Sequence, residues 1–201
     1  MRMFKGWGIV LAALAIGGCT ILPESREVSL YQLPESSLTP AGAATSPWTL
    51  RLRTPRTSEA LAGTRLLVMA ADNELAAYSG ARWVSTTPRL WLDHLARAMT
   101  ADGRLTAVTT DRDNLLADRE LSGVLRAFHV DFRGAVPEAV VRYDAVLAGS
   151  ASRRIIASRS FTAREPLRGK EAAAMVAALG VASDRVSSDL LNWMLSADSN
   201  P

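Results

Sequence analysis

Apolar positions change period several times along this chain, and each change marks an element. WTLRLR, residues 48–53, alternates with period two, as a strand with one covered and one wet face does. TRLLVMA, residues 64–70, has an unbroken apolar centre and predicts a strand covered on both faces. From residue 87 the period lengthens, so that Trp91, Leu92, Leu95 and Met99 share one side of a helix. Thr87 offers an N-cap hydroxyl, Pro88 takes the first helical position, where a missing N–H is harmless, and Asp102-Gly103 ends the helix with a residue that accepts positive φ.

Period two then returns. Leu105–Thr109 and three longer runs, 120–133, 139–149 and 154–163, predict strands, and the short GAVPE and SASR segments between the last three predict an antiparallel meander. Phe128, Val130 and Phe132 alternate with His129 and Asp131, while Val141, Tyr143, Ala145 and Leu147 alternate with Arg142 and Asp144, which assigns one face to the core and the other to water. A last helix, from Gly169 to about Leu195, carries the stripe Met175, Leu179, Ala182, Val186, Leu190 and Trp193. Gly180 interrupts it at a cost of roughly 1 kcal/mol relative to Ala and marks a kink or a close approach to a strand. Near the start, Val28–Leu33 reads as a first strand, and the Pro-, Ser- and Ala-rich stretch 34–47 reads as a mobile loop. The expected fold is one mixed α/β (α+β) domain over residues 28–197, with a mostly antiparallel sheet built on a central meander and packed by two main helices.

The N-terminal apolar run is of another kind. Arg2 and Lys5 precede Trp7–Ile16, a stretch too short for a bilayer core that takes about 20 residues, and the whole reads as a signal peptide over 1–18. Ile16-Gly17-Gly18-Cys19 resembles the bacterial lipobox, in which the Cys is lipidated and becomes the first mature residue. Cys19 is the only cysteine, so it has no disulfide partner and no companion thiolate for a metal site. Residues 20–27 are short and polar and read as a tether. Thr20 follows the cysteine where, by resemblance to the enterobacterial sorting rule, Asp would hold the protein at the inner membrane; the expected address is the periplasmic face of the outer membrane.

Composition adds mainly exclusions. The 201 residues carry a formal net charge of +3, which falls to about +1 once Arg2 and Lys5 leave with the signal, so nucleic acid is not an expected partner. His94 lies in a predicted helix and His129 on a polar strand position, and neither has ligand companions, so no metal or cofactor is expected. LRGKE at 167–171 lacks the spacing and the Ser/Thr of a phosphate-binding loop, and no nucleophile elbow is present. Asp111 and Asp113 alternate with Arg112 in a turn-like stretch and read as a solvated loop. Trp91 and Trp193 sit on apolar helical faces; Trp83, beside Arg82 in a connection, suits either the core or a partner contact.

Five segments in order resemble one family: the lipobox; Tyr31-Gln32-Leu33; LAAYSGARWVSTTPRLWLDHLARAM at 75–99; the hairpin segments within 121–147; and DLLNWML at 189–195. They are similar to the ABC-type transport auxiliary lipoproteins, the PqiC-like family, and the likeness spans nearly the whole mature chain. The resemblance implies a non-enzymatic adaptor on the outer membrane, working with an MCE-domain protein, its permease and its ATPase in lipid transport, and it leaves self-association open. Two other classes stay in view. A lipid carrier would need an apolar cleft of several hundred Å³, and an envelope hydrolase would need a convergent acid, base or nucleophile cluster. Cys19→Ser is expected to leave a slower-migrating precursor that no longer fractionates with the outer membrane, as envelope fractionation and blotting would read; unchanged processing would refute the lipobox.

Overall fold

The computed structural model describes residues 27–41 and 46–197, so the signal segment, Cys19 and the tether up to Arg26 lie outside the described residues. The elements in order are β1 Ser29–Tyr31, β2 Thr49–Leu52, β3 Arg56–Thr57, α1 Glu59–Ala62, β4 Arg65–Ala71, β5 Glu74–Trp83, α2 Thr87–Asp102, β6 Ala107–Thr110, β7 Arg119–Asp131, β8 Glu138–Gly149, β9 Ile155–Pro166 and α3 Ala172–Ala197. The predicted meander is present: β8 pairs antiparallel with β7 from Asp131↔Glu138 to Arg119↔Gly149, and β9 pairs antiparallel with β8.

The other edge of β7 is divided among three strands. β2 pairs with Arg119–Leu121, β3 with Val124–Leu125 and β4 with Val130–Asp131, all parallel to β7. β6 extends this sheet beyond β2, and β5 then β1 extend it beyond β4, giving nine strands in a mixed sheet whose longest ladders are antiparallel. β5 replaces the expected connection before α2. Its period is broken by Gly80, at φ 75°, and by register shifts against β4, so alternation alone does not reveal it. β3 and α1 are too short to show any period.

Both long helices cover one face. Trp91, Leu92, Leu95 and Met99 of α2 are buried as expected, and Trp91 meets Phe128 and Tyr143 with ring centroids 6.5 and 5.8 Å away. α2 begins at Thr87, but the cap position is Thr86; the Thr87 hydroxyl and amide both donate to the Gly63 carbonyl. Gly103 closes α2 at φ 77°. The whole α3 stripe is buried, and Trp193 sets its ring edgewise to Phe161 at 5.5 Å. The close approach at Gly180 comes from the loop after β1, not from a strand: a Cβ there would stand 3.0 Å from the Pro34 ring.

On β7 a Cβ at Gly123 would stand 2.6 Å from Tyr143 Cζ and 2.2 Å from the Asp144 carbonyl, so this glycine lets the Tyr143 ring lie across the strand. The expected wet face fails at the far end of β7, where His129 and Asp131 are both buried. Asp131 is neutralised there by a two-pronged hydrogen bond from Arg133 at 2.9 and 2.8 Å, which holds its carboxyl well below the usual range. Burial pushes the His129 ring down, against the opposing charge of Asp131. Trp193→Ala should cost on the order of 3–5 kcal/mol in urea unfolding. A loss within about 0.5 kcal/mol, typical of surface substitutions, would mean that the ring does not belong to the core.

Candidate functional site

No helix among the described residues covers the second face of the meander, whose outward side chains are short Ser and Val together with Asp144 and the exposed Arg126 and Arg142. Ser122 and Val124 of β7, Asp144 and Val146 of β8, and Ser158 and Ser160 of β9 floor a concavity of about 840 Å³. Arg53, Thr54 and Arg56, where β2 gives way to β3, form one wall. A second hollow of about 380 Å³ shares Arg53 and Glu120 with it and adds Arg51, Ser150 and Arg153, so the two make one trough along β7.

Its charges are partly internal. Arg53 stands 3.6 Å from Glu120, and Asp144 accepts from Arg126 Nε at 2.7 Å and from Ser160 Oγ at 2.7 Å, which together hold its carboxyl below the ordinary range. Arg51 Nη2 donates to the Leu115 carbonyl, while its buried Nε and the buried Ser150 Oγ have no hydrogen-bond partner among the described residues. Guanidinium groups over a floor of Ser, Gly and Val, whose carboxylate, Asp144, is already taken by Arg126 and Ser160, suit carboxylates or phosphates and suit acyl chains poorly.

A different polar cluster joins the helices. His94 is fully buried, with Nε2 3.0 Å from Asp184 Oδ1. The same oxygen accepts from Ser36 Oγ at 2.6 Å, and Oδ2 accepts from the Ser37 amide at 2.8 Å and hydroxyl at 2.6 Å. Burial pushes the Asp184 carboxyl up, but the hydrogen bonds from His94, Ser36 and Ser37 outweigh it and hold the group well below the carboxylate range. Farther along, the Ala41 amide donates to the Asp102 carbonyl and the Ser46 amide to the Arg104 carbonyl. The described part of the loop expected to be mobile is therefore a strap across α3 and the end of α2. The carboxylate stands between the serine and the histidine, whereas a nucleophilic relay needs the histidine in the middle; this cluster fastens a loop.

Trp83, weighed between core and contact, is buried at 2% exposure against Phe128, their centroids 5.8 Å apart. Its neighbours Arg82, registered between Leu30 and Arg65, and Val84 face solvent, while the ring itself offers no surface. Asp111 accepts from the Thr54 amide and hydroxyl, and Asp113 from Thr109 and Thr110, so both organise the β6–β7 loop. Among the described residues no three His, Cys, Asp or Glu side chains are placed to hold a metal, and no helix is long and apolar enough to cross a membrane. The trough has no local sequence signal, since Arg51 and Arg53 stand only as the wet parity of WTLRLR. The Asp184 clamp joins residues nearly 150 positions apart and leaves no local signal.

Comparisons with known proteins converge. The family of ABC-type transport auxiliary lipoprotein components matches residues 31–190. The solved structure of protein XCC0632 from Xanthomonas campestris, assigned to DUF330, is similar at 27% identity and a TM-score of 0.76, over 85% of this chain and 97% of that one. An uncharacterized protein of known structure shares the fold at 16% identity and a TM-score of 0.66, over 84% of this chain and 99% of that one. No curated protein matches.

Because Asp184 titrates lower in the folded chain than the roughly 3.9 of an unfolded Asp, its contribution to stability is present above about pH 4 and is lost as pH falls through the folded value. Asp184→Asn should lower stability at pH 7 by roughly 1–3 kcal/mol and flatten the fall in urea midpoint below about pH 5. Equal slopes in the two proteins would show that this carboxylate does not carry the clamp.

Proposed function

Because the chain belongs to the family of ABC-type transport auxiliary lipoprotein components, we propose that it is the outer-membrane adaptor of an intermembrane lipid-transport assembly comprising an MCE-domain protein, a permease and an ATPase. Cys19 carries the anchor. Each buried acyl CH₂ contributes about 0.8 kcal/mol, and the several chains of a bacterial lipoprotein hold where one chain is marginal. Thr20 after the cysteine favours the outer membrane.

The protein works by association, without turnover of its own. The observation that carries this reading is the family match over 31–190 in a domain whose sheet has one broad face that no helix among the described residues covers. The hydrolase reading loses its best cluster, because Ser36 and His94 both bind Asp184. The carrier reading finds no support in the trough, whose guanidinium groups would desolvate against acyl chains without compensation.

Affinity purification of the full-length lipoprotein from gently solubilised envelopes is expected to recover an MCE-domain protein, and deletion is expected to weaken the barrier to detergents. Hydrolysis of an envelope substrate by the purified protein, or the absence of any MCE component, would overturn the assignment.

A further inference from the structure

At the start of β7 the trough meets a group of exposed apolar side chains. Leu115 is 59% exposed, Leu116 96% and Ile155 69%, which is unusual for residues of this size gathered at one end of a fold. The placement is structural: Arg51 donates to the Leu115 carbonyl, the Ser150 amide donates to the Asp118 carbonyl, and Ile155 registers with Ala148. The β6–β7 loop and the β8–β9 hairpin thus close on the same pole. In the hollow between them Arg51, Arg53 and Arg153 face one carboxylate, Glu120. The loop's own acids are occupied, Asp118 by the Thr49 amide and hydroxyl and Asp113 by Thr109 and Thr110.

Exposed leucines beside guanidinium groups suit two kinds of surface, an anionic membrane or a protein segment that combines carboxylates with apolar side chains. The position of the tether decides between them. β1 pairs parallel with β5, β5 antiparallel with β4, and β4 parallel with β7, so β1 runs against β7. β1 lies beside Ala81–Trp83, and Trp83 packs on Phe128, so the chain enters at the level of Phe128 from the Asp131 end. From Phe128 back to Arg119, β7 covers about 30 Å, and the apolar tips lie beyond. Residues 20–27 reach at most about 30 Å even when fully drawn out. The pole could enter the anchoring leaflet only with the tether stretched straight back along the domain.

We propose that this pole, which faces away from the anchoring membrane, is the docking surface for the protein partner, and that it receives an acidic segment whose carboxylates sit among Arg51, Arg53 and Arg153 while its apolar side chains cover Leu115, Leu116 and Ile155. The proposal rests on the adaptor reading and on Cys19 as anchor.

The test compares recovery of the MCE-domain protein by affinity-purified full-length lipoprotein in three forms: wild type, Leu116→Asp, and the double variant Arg51→Glu, Arg153→Glu. Leu116 is almost wholly exposed, so its replacement leaves the fold intact even where the double variant does not. Recovery is expected to fall roughly tenfold or more in each variant. Equal recovery by wild type and Leu116→Asp overturns the docking pole and leaves the adaptor reading standing, whereas no recovery by wild type overturns the adaptor reading itself. A polarity-sensitive fluorophore on Leu116→Cys, in lipoprotein reconstituted into phosphatidylcholine vesicles with or without phosphatidylglycerol, should report water in both. A blue shift with phosphatidylglycerol would overturn the protein partner in favour of an anionic lipid surface.

Discussion

Four strands pair with β7 directly, and the other four reach it through them. A strand of 13 residues has more edge than any one neighbour here uses, and the chain fills it with β8 on one side and with β2, β3 and β4 end to end on the other. Because those three run parallel to β7, none can join it through a tight hairpin, and each pairing must wait for contacts distant in sequence. The register that results decides which residues meet. It sets Leu50, Leu52, Leu121 and Leu125 in the core with no measurable exposure beyond 1%. It also sends Arg51 and Arg53 to the opposite face, where a slip of one residue would exchange the two sets.

The helical layer is held by packing and then fixed by a polar joint. α3 buries its stripe on β8 and β9, while Ser183 and Ser187 fold their hydroxyls back onto the carbonyls of Leu179 and Ser183 and keep that side of the helix slim. Pro34 can therefore lie on Gly180, and Asp184 can reach Ser36 and Ser37. A buried carboxylate is a poor source of net stability, since its desolvation offsets much of what its hydrogen bonds return. What the cluster supplies is position: it ties the segment after β1 to one site on α3 and to His94 on α2.

Legibility followed locality. The meander, α2 and the α3 stripe were visible because their periods are long and their neighbours in space are neighbours in sequence, and their observed bounds fall within a few residues of those expected. β5 was hidden because Gly80 and the shifts against β4 break its alternation. Parity failed at Asp131 because a charge can be buried when Arg133 brings its own opposite charge, a pairing that no hydrophobicity pattern records. Trp83 was ambiguous for the same reason as β5: without the strand, nothing told which way the ring faced.

On the assignment proposed above, this subunit has two attachments, one to its membrane through Cys19 and one to its partner at the Arg119 end of β7, and one strand direction separates them. The chain enters at β1, level with Phe128, and the trough with its apolar rim lies at Arg119, the opposite end of the same strand. The described helices cover only one face, and the wet second face tolerates Arg51 and Arg53, which alternate along β2 and just beyond it, at little cost. The feature that would count as an incomplete core in an isolated domain is thereby a surface of defined charge and shape, held rigid by the longest ladders in the sheet. Rigidity matters because a pre-organised surface loses less conformational freedom on binding, so more of each contact appears as affinity.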